Sequence, residues 1–179
     1  YTPFINLMTM MEQPIYGILL GAGFTALVQA SSATTGVVIV LASQGMISLP
    51  AGIALCLGAN IGTCVTAFLA AIGKPREALR AAVVHVLFNV LGVLLWFAFI
   101  SELADFVRWL SPSSPLTAGS AVLATDAPRQ IANAHSAFNI ANTLIFIWFA
   151  PLFARLVQWI IQDRQLHEAE LVKAKYLDS

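Results

Sequence analysis

The sequence predicts an all-α membrane protein: a re-entrant helical hairpin, a broken transmembrane helix and two further spans. Three observations predict it. No Asp, Glu, Lys, Arg or His occurs from Gln13 to Gly73. The chain is 59% hydrophobic and only 10% charged, where a soluble domain carries about 25% charge. Its apolar stretches are close to the ~20 residues that a helix needs to cross a bilayer, and turn residues separate them. The formal net charge is zero, so no electrostatic case exists for nucleic acid. Cys56 and Cys64 both lie in apolar sequence. One helix running between them would hold their Cα atoms about 12 Å apart, too far for a disulfide, so they read as small packing residues.

Residues 1–13 are mildly apolar and read as the end of a preceding helix or a linker. Pro14 to Ser43 is apolar but interrupted at Gln29–Gly36. Its length suits one span of about 20 residues with a remainder, or two half-length helices; the preferred reading is the second, a hairpin that enters the bilayer, turns near Gln29–Ser32 and leaves on the same side. Gln44-Gly45 and Ser48-Leu49-Pro50 then mark a turn and a helix start. Pro50 to Ile72 is the length of one span, and Gly58-Ala59-Asn60-Ile61-Gly62 is expected to break it, because glycine weakens a helix. Gly73-Lys74-Pro75-Arg76-Glu77 is a charged loop. Ala81 to Ile100 is a span ending in an aromatic belt of Trp96, Phe97 and Phe99.

Glu102, Asp105 and Arg108 lie three apart among Leu103, Phe106, Val107, Trp109 and Leu110, the pattern of a short interfacial helix. Ser111-Pro112-Ser113-Ser114-Pro115 ends it. A last span is expected from Gln130 to about Phe153, followed by a charged helical tail from Arg155. The domain reading is therefore a membrane repeat over 14–154 and a cytoplasmic tail or linker over 155–179. Lys74, Arg76 and Arg80 mark their loop as cytoplasmic, which places the acidic segment Ser101–Ala127 outside and opens the hairpin to the outside.

The sequence also echoes itself. His85-Val86-Leu87-Phe88-Asn89-Val90 matches His135-Ser136-Ala137-Phe138-Asn139-Ile140, and Gly92 and Asn142 extend the two faces by a turn. Each copy follows a Pro-Arg pair.

Two polar clusters sit inside the uncharged stretch. Gln29, Ser31, Ser32, Thr34 and Thr35 offer an amide and four hydroxyls. A half-helix beginning at Ser31 would present free N–H groups and the positive end of its dipole, a cradle for an oxyanion such as phosphate. Carbonyls released by a break coordinate sodium in broken-helix transporters. The plainer reading is hydrogen bonding between packed helices. Asn60 and Thr63, in Gly58–Thr63, carry the same ambiguity: an unwound binding segment or close packing of small residues. No Gly-Lys-Ser/Thr follows, so this is not a nucleotide phosphate loop. His85, Asn89, His135 and Asn139 read as possible supporting residues. No acid or thiol is placed to complete a metal site with the histidines, and no nucleophile–base set is visible, so the chain does not read as an enzyme.

Gln29–Thr35 and Gly58–Thr63 together resemble the Gln-Ser-Ser-Ser and Gly-Ala-Asn-Ile-Gly-Thr signatures of bacterial type II sodium/phosphate cotransporters. The resemblance extends from Ala26-Leu27-Val28 through Lys74-Pro75-Arg76-Glu77-Ala78-Leu79-Arg80 to His85–Leu95. Ala30 stands where the family usually has its first Ser. Such proteins carry the signature twice, in inverted repeats; it occurs once here. The resemblance therefore implies the second repeat, one half of an inverted-repeat transporter and a piece of a longer protein, with Lys175-Tyr176-Leu177-Asp178 leading toward a PhoU-like domain.

The implied function is sodium-coupled phosphate symport across the bacterial cytoplasmic membrane. Its partners are sodium, phosphate, the lipid bilayer and a second repeat or a homodimer, with no cofactor and no metal beyond transported sodium. Gln29, Ser31, Ser32, Thr34, Thr35, Asn60 and Thr63 would contact substrate and ion. The rival readings are a carrier of sulfate or a carboxylate, and a structural or regulatory membrane subunit.

Overall fold

The computed structural model describes residues 2–111 and 120–162. Among these the chain is helical throughout, with no strand. The order is α1 (Thr2–Met11), α2 (Pro14–Val28), α3 (Ser31–Ser43), α4 (Leu49–Ala71), α5 (Arg76–Phe97), α6 (Ile100–Leu110), α7 (Ser120–Phe146), a 3-10 turn (Ile147–Phe149) and α8 (Ala150–Ile160). Among the described residues three stretches are long and apolar enough to cross a membrane: Leu49–Ala71, Arg76–Phe97 and Asp126–Ile160. The shorter apolar helices are α2 and α3. At about 1.5 Å per residue they rise roughly 22 and 20 Å, short of a ~30 Å hydrocarbon core.

α4 is the centre of the fold, and every residue from Ala51 to Asn60 is buried. Ser48 caps it, its Oγ accepting from the Ala51 N–H at 3.3 Å, with Pro50 in the first turn, where its missing N–H costs nothing. Glu12 adds a second tie. Its carboxylate accepts from the Ser48 N–H at 3.0 Å and the Ser48 hydroxyl at 2.6 Å, fixing the α1–α2 junction to the start of α4.

α2 lies parallel to α4. Gly17 sits against Ala54, Gly21 against Leu55, and Ala22 against Gly58 and Gly62, so contacts climb both helices together. α3 runs the other way: Val38 touches Gly52, while Thr35 lies beside Cys56. α2 and α3 are therefore antiparallel arms, both seated on α4.

The expected break in the third apolar stretch is not present. Leu49–Ala71 is one uninterrupted helix. Gly58 and Gly62 serve close approach instead. A Cβ on Gly58 would strike the Ile18 carbonyl, and one on Gly62 would lie 2.5 Å from the Ala22 oxygen and 2.6 Å from Thr25 Cβ. Between membrane helices the attraction is mainly van der Waals packing, so a stripe of small residues on each helix is what lets the backbones meet. Gly17, Gly21 and Thr25 form that stripe on α2, and the helical period aligns them.

Two other boundaries differ from expectation. The last span starts before Gln130, since α7 continues through Pro128. Arg155 lies inside α8 rather than beyond the span. The end of α8 is held by α5: Arg80 donates to the Ile161 carbonyl from Nε at 3.0 Å and Nη2 at 2.7 Å, and Arg76 donates to the Gln162 carbonyl. Basic groups at a helix C-terminus satisfy its free carbonyls. The Pro112–Pro115 turn and the tail from 163 to 179, with its proposed PhoU-like linker, lie outside the described residues.

The sequence echo has a geometric meaning. Asn89 Nδ2 donates to the His85 carbonyl at 2.9 Å, and Asn139 Nδ2 to the His135 carbonyl at 2.8 Å. The echoing positions Gly92 and Asn142 face each other. On either side Phe88 meets Phe146 edge-on at 5.8 Å and Trp96 meets Phe138 edge-on at 6.0 Å. Phe88 echoes Phe138, and Trp96 echoes Phe146. The two aromatic contacts are thus one contact repeated about a local two-fold axis through the Gly92–Asn142 crossing, and α5 and α7 are antiparallel.

Candidate functional site

The hairpin turn is two residues long. Gln29 closes α2 in the left-handed conformation, φ 59°, with its N–H on the Thr25 carbonyl at 2.6 Å. It is the only non-glycine with positive φ among the described residues. Left-handed backbone is uncommon outside Gly, Asn and Asp, and such positions cluster at functional sites. Ala30 is extended and precedes the first turn of α3, where Ser31 and Ser32 stand. Ala30 provides no side-chain cap, so the first N–H groups of α3 have no capping partner among the described residues.

The predicted residues divide into three groups. Gln29 and Ser32 are exposed at the tip, and Ser31 is half-buried beside them. Thr34 and Thr35 face inward. The Thr34 hydroxyl bonds the Thr25 hydroxyl at 2.6 Å, and Thr35 Oγ1 is buried beside the Cys56 thiol. On α4, Thr63 donates to the Ala59 carbonyl at 2.9 Å, and Asn60 is buried with Nδ2 unpartnered among the described residues.

The structure brings the two polar clusters together through a residue that sequence reasoning missed. Thr25 is fully buried, bonds Thr34 across the hairpin and packs against Gly62. Thr66, also missed, has a buried hydroxyl without a partner among the described residues. Ala26 rests on Gly62, so the tip stands opposite the α4 stretch that carries Thr63 and Thr66. A single Thr in an apolar helix gives little signal, because its hydroxyl usually bonds its own i−4 carbonyl. The available clue was spacing: Thr25 continues the Gly17–Gly21 stripe and precedes Gln29 by one turn.

His85, Asn89, His135 and Asn139 do not join the tip. His85 lies beside Cys64, whose thiol approaches the His85 carbonyl at 4.0 Å. His135 borders a small internal gap with Cys56, Leu57 and Phe138, its Nε2 buried and unpartnered among the described residues. Asn89 and Asn139 spend their amide N–H groups on those histidines' carbonyls. Asn142, which extends the echoed face by a turn, is fully buried, and neither of its side-chain polar atoms has a partner among the described residues.

Uncharged oxygens and amides around a helix N-terminus bind an oxyanion, a sodium ion or both; they do not assemble acid–base chemistry. Residues 5–124 match the family model described as Na+/Pi-cotransporter. The chain belongs to that family. The matched region contains the hairpin, its tip and the whole of α4. A transporter family agrees with the absence of an enzyme reading in the sequence.

Among relatives, the Bacillus subtilis protein YqeW is 35% identical over 144 residues, which is 80% of this chain and 43% of that protein. Human sodium-dependent phosphate transport protein 2C is 45% identical over 84 residues, covering 45% of this chain and 14% of that protein. Mouse sodium-dependent phosphate transport protein 2B is also 45% identical over 84 residues, 12% of its length. The chain thus spans less than half the length of these relatives. No solved structure matches it.

The Thr25–Thr34 bond should be needed to hold the tip in register. Thr25→Val leaves the Thr34 hydroxyl buried with only a long 3.4 Å contact to the Ala30 carbonyl. An unmade buried hydrogen bond costs about 1–3 kcal/mol. A lowered unfolding temperature in detergent for Thr25→Val, largely restored in the Thr25→Val/Thr34→Val double variant, is the expected result.

Proposed function

We propose that the protein carrying this chain is a sodium-coupled phosphate symporter of the bacterial cytoplasmic membrane, and that the chain is one of its two inverted repeats. The observation that carries the reading is the uncapped, two-residue hairpin tip, seated on α4 within the region that matches the family. The names of the human and mouse relatives support the choice of substrate and ion. α2 and α3 form a re-entrant hairpin, too short to cross the membrane singly. Gln29, Ser31 and Ser32 with the free N–H groups of α3 receive phosphate. Thr34, Thr35, Asn60 and Thr63 supply oxygens toward sodium. Sodium lowers the cost of bringing an anion into a low-dielectric site, and that difference is the coupling.

Proteoliposomes test it. Labelled phosphate should enter under an inward sodium gradient and not under a potassium gradient, and excess sulfate or a carboxylate should compete poorly. Strong competition by sulfate would move the assignment to another anion. Absence of any uptake by active-folded protein would favour a structural or regulatory subunit.

A further inference from the structure

We propose that the groove between α5, α6 and α7 is a phospholipid site, selective for a headgroup with a primary ammonium, as in phosphatidylethanolamine. The groove has a volume of about 810 Å3. Small-molecule sites run from roughly 300 to 1,000 Å3. Its walls are apolar, among them Leu95, Phe99, Leu144 and Ile145. The polar lining residues are Glu102, Asn133 and Ser136. All three lie at the end where α6 crosses. α6 is amphipathic, burying Ile100, Leu103, Ala104 and Val107 while Trp109 is exposed, the pattern of a helix lying in the membrane surface.

The dimensions fit a lipid. Along α7 the groove runs from Asn133 to Ile145, a rise of about 18 Å at ~1.5 Å per residue. One leaflet's share of a ~30 Å hydrocarbon core is about 15 Å. An acyl chain in the groove would therefore reach the bilayer middle with its headgroup level with α6. The charge at that level selects the headgroup. Asp105, one turn along α6, is held by Arg108 at 2.7 Å, whereas Glu102 has no ion-pair partner among the described residues. A lipid ammonium supplies that partner and donates hydrogen bonds, while an anionic headgroup is repelled.

The test is native mass spectrometry of the purified protein in mild detergent, with phosphatidylethanolamine and phosphatidylglycerol added in equal amounts. Wild type should retain phosphatidylethanolamine with about a fivefold preference, the scale of one exposed ion pair. Glu102→Gln, a surface change, should remove the preference and leave retention. Ala141→Trp, which fills the groove, should remove retention. Equal retention of both lipids by wild type, a preference that survives Glu102→Gln, or undiminished binding in Ala141→Trp would each overturn the proposal. So would crosslinking of Ala141→Cys to another polypeptide segment or a second copy, since the groove would then be a protein interface.

Discussion

Gln29→Ala and Ser32→Ala are each expected to weaken sodium-driven phosphate uptake by roughly five- to a hundredfold, with the protein still inserted and folded. Both side chains are exposed at the tip and make no side-chain hydrogen bond among the described residues. Their loss should therefore spare stability. A bound oxyanion held away from bulk water needs its donors, and each one left unmade costs about 1–3 kcal/mol, which sets that range. The deciding readout is the concentration dependence of uptake at matched expression. Uptake unchanged in both variants would return the cluster to a role in helix packing.

Gly58→Ala should have the opposite signature, a loss of stability before any specific loss of transport. A Cβ there meets the Ile18 carbonyl and lies 2.8 Å from the Ala22 nitrogen, and backbone atoms inside a helix cannot move aside. α2 would have to lift from α4 along its whole stripe. Overpacking of this kind costs about 1–3 kcal/mol, and more when backbone is the obstacle. Gly23→Ala is the control, since nothing lies within 4 Å of its added Cβ. It should be neutral or stabilising, because alanine is the better helix former by about 0.8–1.0 kcal/mol. Thermal unfolding in detergent separates the two variants. Equal behaviour would mean that helix propensity, and not contact with α2, governs these glycines.

The same glycines mark where the sequence was ambiguous. Gly58-Ala59-Asn60-Ile61-Gly62 fits an unwound segment and a tightly packed helix equally well, because the missing Cβ serves both. Only the partner decides, and the partner stripe on α2 was legible solely through the spacing of Gly17, Gly21 and Thr25. The hairpin turn was easier to read. A run of one amide and four hydroxyls midway along an apolar stretch has few uses, and the helix does end at Gln29. The α6 helix was legible for a similar reason: its charges fall three apart and its apolar residues occupy the other face.

Thr25 was legible only as a position in the α2 stripe, since its bond to Thr34 across the hairpin comes from a neighbour distant in the chain. Thr66, one turn after Thr63, gave no signal beyond its neighbour's. The echo of His, Phe and Asn was visible as a repeat. That its two copies would pair across a local two-fold axis, with Gly92 making room for Asn142, is a property of helix packing that no single segment encodes.

If sodium and phosphate meet at the hairpin tip, both should change the accessibility of a residue placed there. Ala30→Cys provides that residue, because the change is small and Ala30 lies between Gln29 and Ser31 with no polar side chain of its own. The native Cys56 and Cys64 are buried, so they should contribute little to the labelling, which is read against the same protein without the substitution. A water-soluble thiol reagent should modify Cys at position 30, and phosphate should slow the reaction only when sodium is present. A labelling rate indifferent to phosphate and sodium together would mean that neither binds at the tip.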